Sequence, residues 1–163
     1  MVAALVTVAA CSDPGPGTVS PYDRAPVPPV PDRTLDVVVD GQLGDGQYWA
    51  VVSGADMGEP SPTITFTLMQ ATFDDAGGVE VDDEPTREVT ATSATLQSVS
   101  VVAGSQQNYA VPADELVSLA AGNDPSSDAP DDYAWVDYPF LITARGGQVV
   151  EARQIWLAEP IVR

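Results

Sequence analysis

Residues Thr63-Ile64-Thr65-Phe66-Thr67-Leu68 alternate strictly between threonine and a large apolar side chain. A period of two fits a half-buried strand and no helix, because successive side chains of a strand point to opposite faces. Ile64, Phe66 and Leu68 are therefore predicted to face a core, with the threonines outside. The same logic applies from Thr34 onward. Leu35, Val37 and Val39 alternate with Asp36, Val38 and Asp40, and Asp40-Gly41 and Asp45-Gly46 are turn signals leading into the β-branched and aromatic run Gln47–Ser53. Val89–Val102 predicts one long or bulged strand, or two short ones, and Asn108–Val111 another. Pro112-Ala113-Asp114 opens a short helix with Asp114 as N-cap, Leu116 and Leu119 inward and Gly122 at its end. Tyr138–Ala144 and Gln148–Leu157 flank Gly146-Gly147, a two-residue hairpin signal. Asp74–Glu84 and Gly122–Asp132 read as long acidic surface loops. The expected class is all-β and mainly antiparallel: a small sandwich or partly open barrel of six to seven strands with one short helix.

Proline sets the boundary of that domain. Seven prolines fall between Ser12 and Asp32, which excludes a helix or a central strand and predicts an extended spacer reaching about 65 Å at ~3.1 Å per residue. Ahead of it, Val2–Ala10 is apolar or small, the length of a signal-peptide core and far short of a bilayer span. Val8-Ala9-Ala10-Cys11 resembles a bacterial lipobox, in which the cysteine is lipidated and becomes the first mature residue. The expected organisation is a lipoprotein-type signal over residues 1–10, a tether over 11–32 and a single β-rich domain over 33–163. No Lys or Arg precedes Arg24, so the translation start is expected a few basic residues upstream of Met1.

Charge narrows the partners. The chain carries 24 acidic residues against 6 arginines, with no lysine and no histidine, for a net charge of −18. Such a surface repels phosphate backbones, which excludes nucleic acid, and repels anionic head groups, leaving the lipid on Cys11 as the expected membrane contact. An envelope protein or polysaccharide is the expected partner class, and oligomeric state is left open.

The missing residue types narrow the chemistry further. Without histidine there is no Ser-His-Asp triad and no His-ligated zinc; without lysine there is no Schiff base. The single cysteine excludes an internal disulfide. Carboxylate chemistry survives, but it needs two acids held across a cleft, and most acids here lie in predicted loops. Strand positions such as Asp36 and Glu151 read equally well as exposed, with Glu151 pairing Arg153. No cofactor is expected, with calcium as the one exception, since it takes six to eight oxygens from carboxylates, carbonyls and water. Two acidic clusters could supply them, Asp74–Glu84 and the Asn123–Asp132 stretch. The second is stiffened by Pro125 and Pro130 and gives the candidates Asp124, Asp128, Asp131 and Asp132. Most aromatic residues are predicted to be core. Trp135, following the acidic loop, is the best candidate for an exposed ligand-binding ring, with Tyr133 beside it.

Several segments resemble a group of uncharacterised actinobacterial exported proteins and lipoproteins: Asp45-Gly46-Gln47-Tyr48-Trp49, Phe66-Thr67-Leu68-Met69-Gln70-Ala71, Tyr109-Ala110-Val111-Pro112, Tyr138-Pro139-Phe140-Leu141-Ile142-Thr143 with Gly146-Gly147, and Gln154-Ile155-Trp156. The likeness spans most of residues 40–158, and an absence of lysine suits a high-GC genome. It implies an exported domain and brings no activity and no catalytic residues. The functional expectation is a cell-envelope lipoprotein displaying a non-catalytic β-domain with a binding or structural role. The alternatives are a carboxylate-dependent hydrolase of wall polysaccharide and an acidic calcium-binding adhesion module.

Overall fold

The structure is a computed structural model that describes residues 22–28, 43–73, 79–81 and 87–157. The signal segment with Cys11, the strand expected over Leu35–Val39 and most of the first acidic cluster lie outside the described residues.

The domain is all-β and mainly antiparallel, with one short helix. Ten strands follow in chain order: β1 (Asp23–Ala25), β2 (Gly46–Asp56), β3 (Thr63–Met69), β4 (Ala71–Phe73), β5 (Val79–Val81), β6 (Arg87–Thr92), β7 (Ser98–Val102), β8 (Asn108–Ala110), β9 (Phe140–Arg145) and β10 (Gln148–Gln154). The helix α1 (Ala113–Ala120) lies between β8 and β9. Eight strands form one sheet in the order β1-β8-β7-β10-β9-β2-β3-β6, and β4 and β5 form a separate hairpin. All neighbours pair antiparallel except β7 and β10, which run parallel.

The alternation in β3 reads out as predicted on its inner face, where Ile64, Phe66 and Leu68 are completely buried. They meet Tyr48, Ala50 and Val52 of β2, Phe140 and Ile142 of β9, and Leu116, Val117 and Leu119 of α1 in the main core. Phe66 and Phe140 pack edge to face with centroids 5.6 Å apart. The sheet also coils, so that Arg87–Thr90 of β6 and Val149 of β10 line one groove of about 400 Å³ although three strands separate them in the sheet. Among the described residues the sheet nevertheless stays open, since β1 and β6 each pair on one side only.

Four expectations are corrected. Asp23–Ala25, assigned to the spacer, pairs with β8 as an outer strand, which proline tolerates because Pro26 follows the ladder instead of interrupting it. The first acidic loop contains β5, and Val81 there is buried with Trp49, Val51, Met69, Ala71, Leu141 and Ile155 in a second core on the opposite face of the sheet. That second core explains why Thr67 is buried and not outside. Asp114 is not the helix cap: Pro112 occupies that position without a side-chain bond, and Asp114 and Glu115 lie in the first turn, where they complement the helix dipole.

The predicted carboxy-terminal end of α1 and the turn of the final hairpin hold. Gly122 adopts φ 84°, its N–H donates to the Leu119 carbonyl, and the Asn123 N–H donates to Ser118 O at 3.1 Å. That pair of bonds is a Schellman terminus. Gly146 and Gly147, at φ 57° and 79°, make the tight turn between β9 and β10, a geometry that side chains with a Cβ adopt at a cost.

Candidate functional site

The sequence singled out Trp135, and the fold sets it at the edge of a cleft of about 240 Å³ lined by Val52, Ser53, Gly54, Ala120, Trp135 and Asp137. Three elements build it. The β2–β3 register shifts between Val52 and Gly54, a bulge of the kind that bends a strand and re-aims its side chains. Ser53 at the bulge is exposed, with its hydroxyl donating to Thr65 O at 3.4 Å. The last turn of α1 brings Ala120 alongside, and the connection from α1 to β9 carries Trp135 and Asp137 across the opening.

Trp135 is half-buried. It packs against the main core and stacks on Phe140, with centroids 6.3 Å and planes 29° apart. This fixes the ring while leaving part of it to solvent, as a binding platform requires. An aromatic surface, a carboxylate and a hydroxyl suit stacking and hydrogen bonding to a hydroxylated or planar group. With neither histidine nor lysine in the chain, the polar groups lining the cleft are the Ser53 hydroxyl and the Asp137 carboxylate.

Tyr133, the second aromatic candidate, is buried in the main core with 8 % exposure. Its hydroxyl is buried without a hydrogen-bond partner. Burial, followed by the negative charge of Glu115, raises its pKa well above the ordinary phenol value. Glu115 belongs to a neighbouring polar cluster that was not among the candidates read from the sequence. It accepts the Tyr22 hydroxyl at 2.7 Å and the Ser126 N–H at 2.8 Å. Tyr22 is likewise raised, by burial first and then by its bond to and the charge of Glu115. Only an acidic residue in the first turn of α1 hinted at this role, and its partners lie 93 and 11 residues away.

A second opening, of about 530 Å³, lies on the outer polar strip of β2, β9 and β10, among Asp45, Gln47, Thr143, Arg145, Glu151 and Arg153. Glu151 pairs with Arg153, as expected, accepts the Thr143 hydroxyl at 3.0 Å and lies 3.7 Å from Arg145. Asp45 accepts the Gly146 N–H at 2.7 Å. Each carboxylate in this strip therefore already holds a structural partner.

The calcium candidates Asp124, Asp128, Asp131 and Asp132 are all exposed. Turns closed by Ala129 N–H on Ser126 O and by Tyr133 N–H on Pro130 O shape their loop. Among the described residues no three acidic or thiol side chains converge closely enough to hold a metal ion, and no helix is long and apolar enough to cross a membrane.

What these elements define is a mainly antiparallel β-domain with one fixed, partly exposed tryptophan beside a strand bulge. No protein-family model, curated protein or solved structure matches the chain.

Proposed function

We propose that this chain is a cell-envelope lipoprotein, anchored to the outer face of a bacterial membrane through Cys11, whose β-domain binds an envelope partner without catalysis. The observation that carries the binding role is the cleft at the β2 bulge, where Trp135 is held rigid by Phe140 and remains partly exposed. The anchoring role is supported by the Val8-Ala9-Ala10-Cys11 segment and by the proline-rich stretch after it. A likeness to actinobacterial exported proteins points the same way. The occupied carboxylates of the outer strip and the absence of histidine and lysine support a non-catalytic role.

Titration calorimetry with soluble wall-polysaccharide fragments tests the binding site. Trp135→Ala should weaken binding at least tenfold while the melting midpoint falls only modestly, because the ring is half-buried. Equal binding by the variant would overturn the cleft assignment, and release of reducing ends during the titration would favour a hydrolase. Mass spectrometry of the mature amino terminus tests the anchor separately. An acylated peptide beginning at Cys11 is expected, and a mature protein retaining Met1 would exclude it.

A further inference from the structure

Tyr22 is the point at which the proline-rich segment joins the fold. Its side chain is 6 % exposed, and its ring packs edge-on against Tyr133 and Tyr109 at 5.0 and 6.1 Å. Its N–H donates to Ala110 O at 2.8 Å and its hydroxyl to Glu115 at 2.7 Å. The backbone there has φ 62°, a left-handed conformation that a bulky residue holds only where its surroundings over-determine it. Asp23, Arg24 and Ala25 then pair in register with Ala110, Tyr109 and Asn108. The Gln107 side-chain amide reaches back to Ala25 O at 3.5 Å. Pro28, at the far end of this stretch, is buried as well.

We propose that Tyr22–Ala25 is a clamp that fixes where the anchor leaves the domain, and thereby sets the standoff of the domain from the membrane. This inference rests on anchoring through Cys11. Ten residues, Ser12–Pro21, separate that cysteine from the clamp, a reach of about 31 Å at ~3.1 Å per residue. Were Leu43, where the described fold resumes, the first fixed residue instead, the same spacing would give a reach about threefold greater. The clamp holds Glu115 in the first turn of α1, and Ala120 in the last turn lines the Trp135 cleft. An eight-residue helix is about 12 Å long, so Ala120 at the cleft lies about one helix length from the carboxylate that the clamp holds.

The chain has one thiol, so the full-length protein can be coupled through Cys11 to a maleimide lipid in a supported zwitterionic bilayer, and neutron reflectometry then measures the gap between domain and membrane. A ten-residue Gly-Ser insertion after Ser20 should widen that gap by up to about 17 Å, the root-mean-square reach of ten flexible residues. The same insertion after Pro31 lies beyond the clamp and should leave the gap unchanged. Equal widening by both insertions would overturn the proposal. Tyr22→Phe keeps the ring contacts and removes the bond to Glu115, so the backbone amide of residue 22 should exchange about 10- to 100-fold faster than in the unaltered protein. A Tyr22 amide that exchanges at the free-peptide rate in the unaltered protein would also overturn it. Because the lipid is attached chemically, these results stand apart from whether the native host acylates Cys11.

Discussion

Replacing Gln154 with leucine tests whether the junction of β7, β8 and β10 is held by hydrogen bonds or by packing. Gln154 is fully buried, yet it is the least apolar of the large side chains in the interior. Parallel pairing between β10 and β7 ends at Arg153 and Ser100, and Gln154 continues the ladder with its side chain. Its Oε1 accepts the Val102 N–H at 2.9 Å, and its Nε2 donates to Val136 O at 2.7 Å and Tyr138 O at 3.3 Å. Its own carbonyl accepts Asn108 Nδ2 at 3.1 Å, a backbone bond that the substitution leaves in place. Leucine, of nearly the same volume, strands the buried Val102 N–H at a cost of about 1–3 kcal/mol. The two carbonyls add less, because one bond is long and Val136 is partly exposed; together they cost about 1–2 kcal/mol. Burying an apolar side chain returns about 1–2 kcal/mol. The net is a destabilisation of roughly 2 kcal/mol, or a melting midpoint lower by about 6–12 °C for a domain of this size. Urea unfolding measures it directly, with the slope expected to be unchanged. An equal or higher midpoint for Gln154→Leu would refute the hydrogen-bond account and show that volume alone matters here.

The orphan hydroxyl of Tyr133 predicts the opposite sign. Tyr133→Phe removes a buried group without a partner and keeps the ring contact with Tyr22, so stability should hold or rise by about 1 kcal/mol, whereas a loss in urea unfolding would mean that the hydroxyl has a partner. Both Tyr22 and Tyr133 are held neutral in the folded state above the ordinary phenol pKa of 10.0. Their contribution is therefore fully present below pH ~10 and lost as pH rises beyond it, where the unfolded chain releases those protons first. Melting midpoints measured from pH 8 to 11 should fall above pH ~10, and the fall should be shallower in Tyr133→Phe.

The parts of the fold legible in sequence are those fixed by local chemistry. Alternation placed Ile64, Phe66 and Leu68, and paired glycines placed the β9–β10 turn, because each depends on residues within one strand or one turn. The rule failed where the sheet is covered on both faces. Trp49, Ala50 and Val51 are consecutive and all buried, since alternate side chains enter the main core and the core beneath β4 and β5. Residues of β4 and β5 are too few to announce a strand, and Val79–Val81 lies between acidic stretches that read as loop. At the site, the partial exposure of Trp135 was legible from its place after a polar loop. Glu115, Asn108 and Gln154 were not, because a polar side chain gains its role from a distant partner: Gln154 meets Val102 across 52 residues.

The helix joins the features on which the functional reading depends. Its inner face, Leu116, Val117 and Leu119, packs onto the sheet, so its position is set by the core and is insensitive to ligand chemistry. Its first turn offers Glu115 to Tyr22 and Ser126, tying the amino-terminal strand and the acidic loop to one carboxylate. Its last turn offers Ala120 to the cleft. The loop that begins at Ser126 continues to Tyr133, which packs against Tyr22, and then to Trp135, which packs against Phe140. Both the amino-terminal strand β1 and the tryptophan are thus fastened to a single packed helix. Fixing a side chain before a partner arrives removes the entropy cost of ordering it, about 0.5–1.5 kcal/mol for each immobilised side chain. A cleft whose one aromatic surface is a half-buried tryptophan depends on that saving more than a deep pocket would.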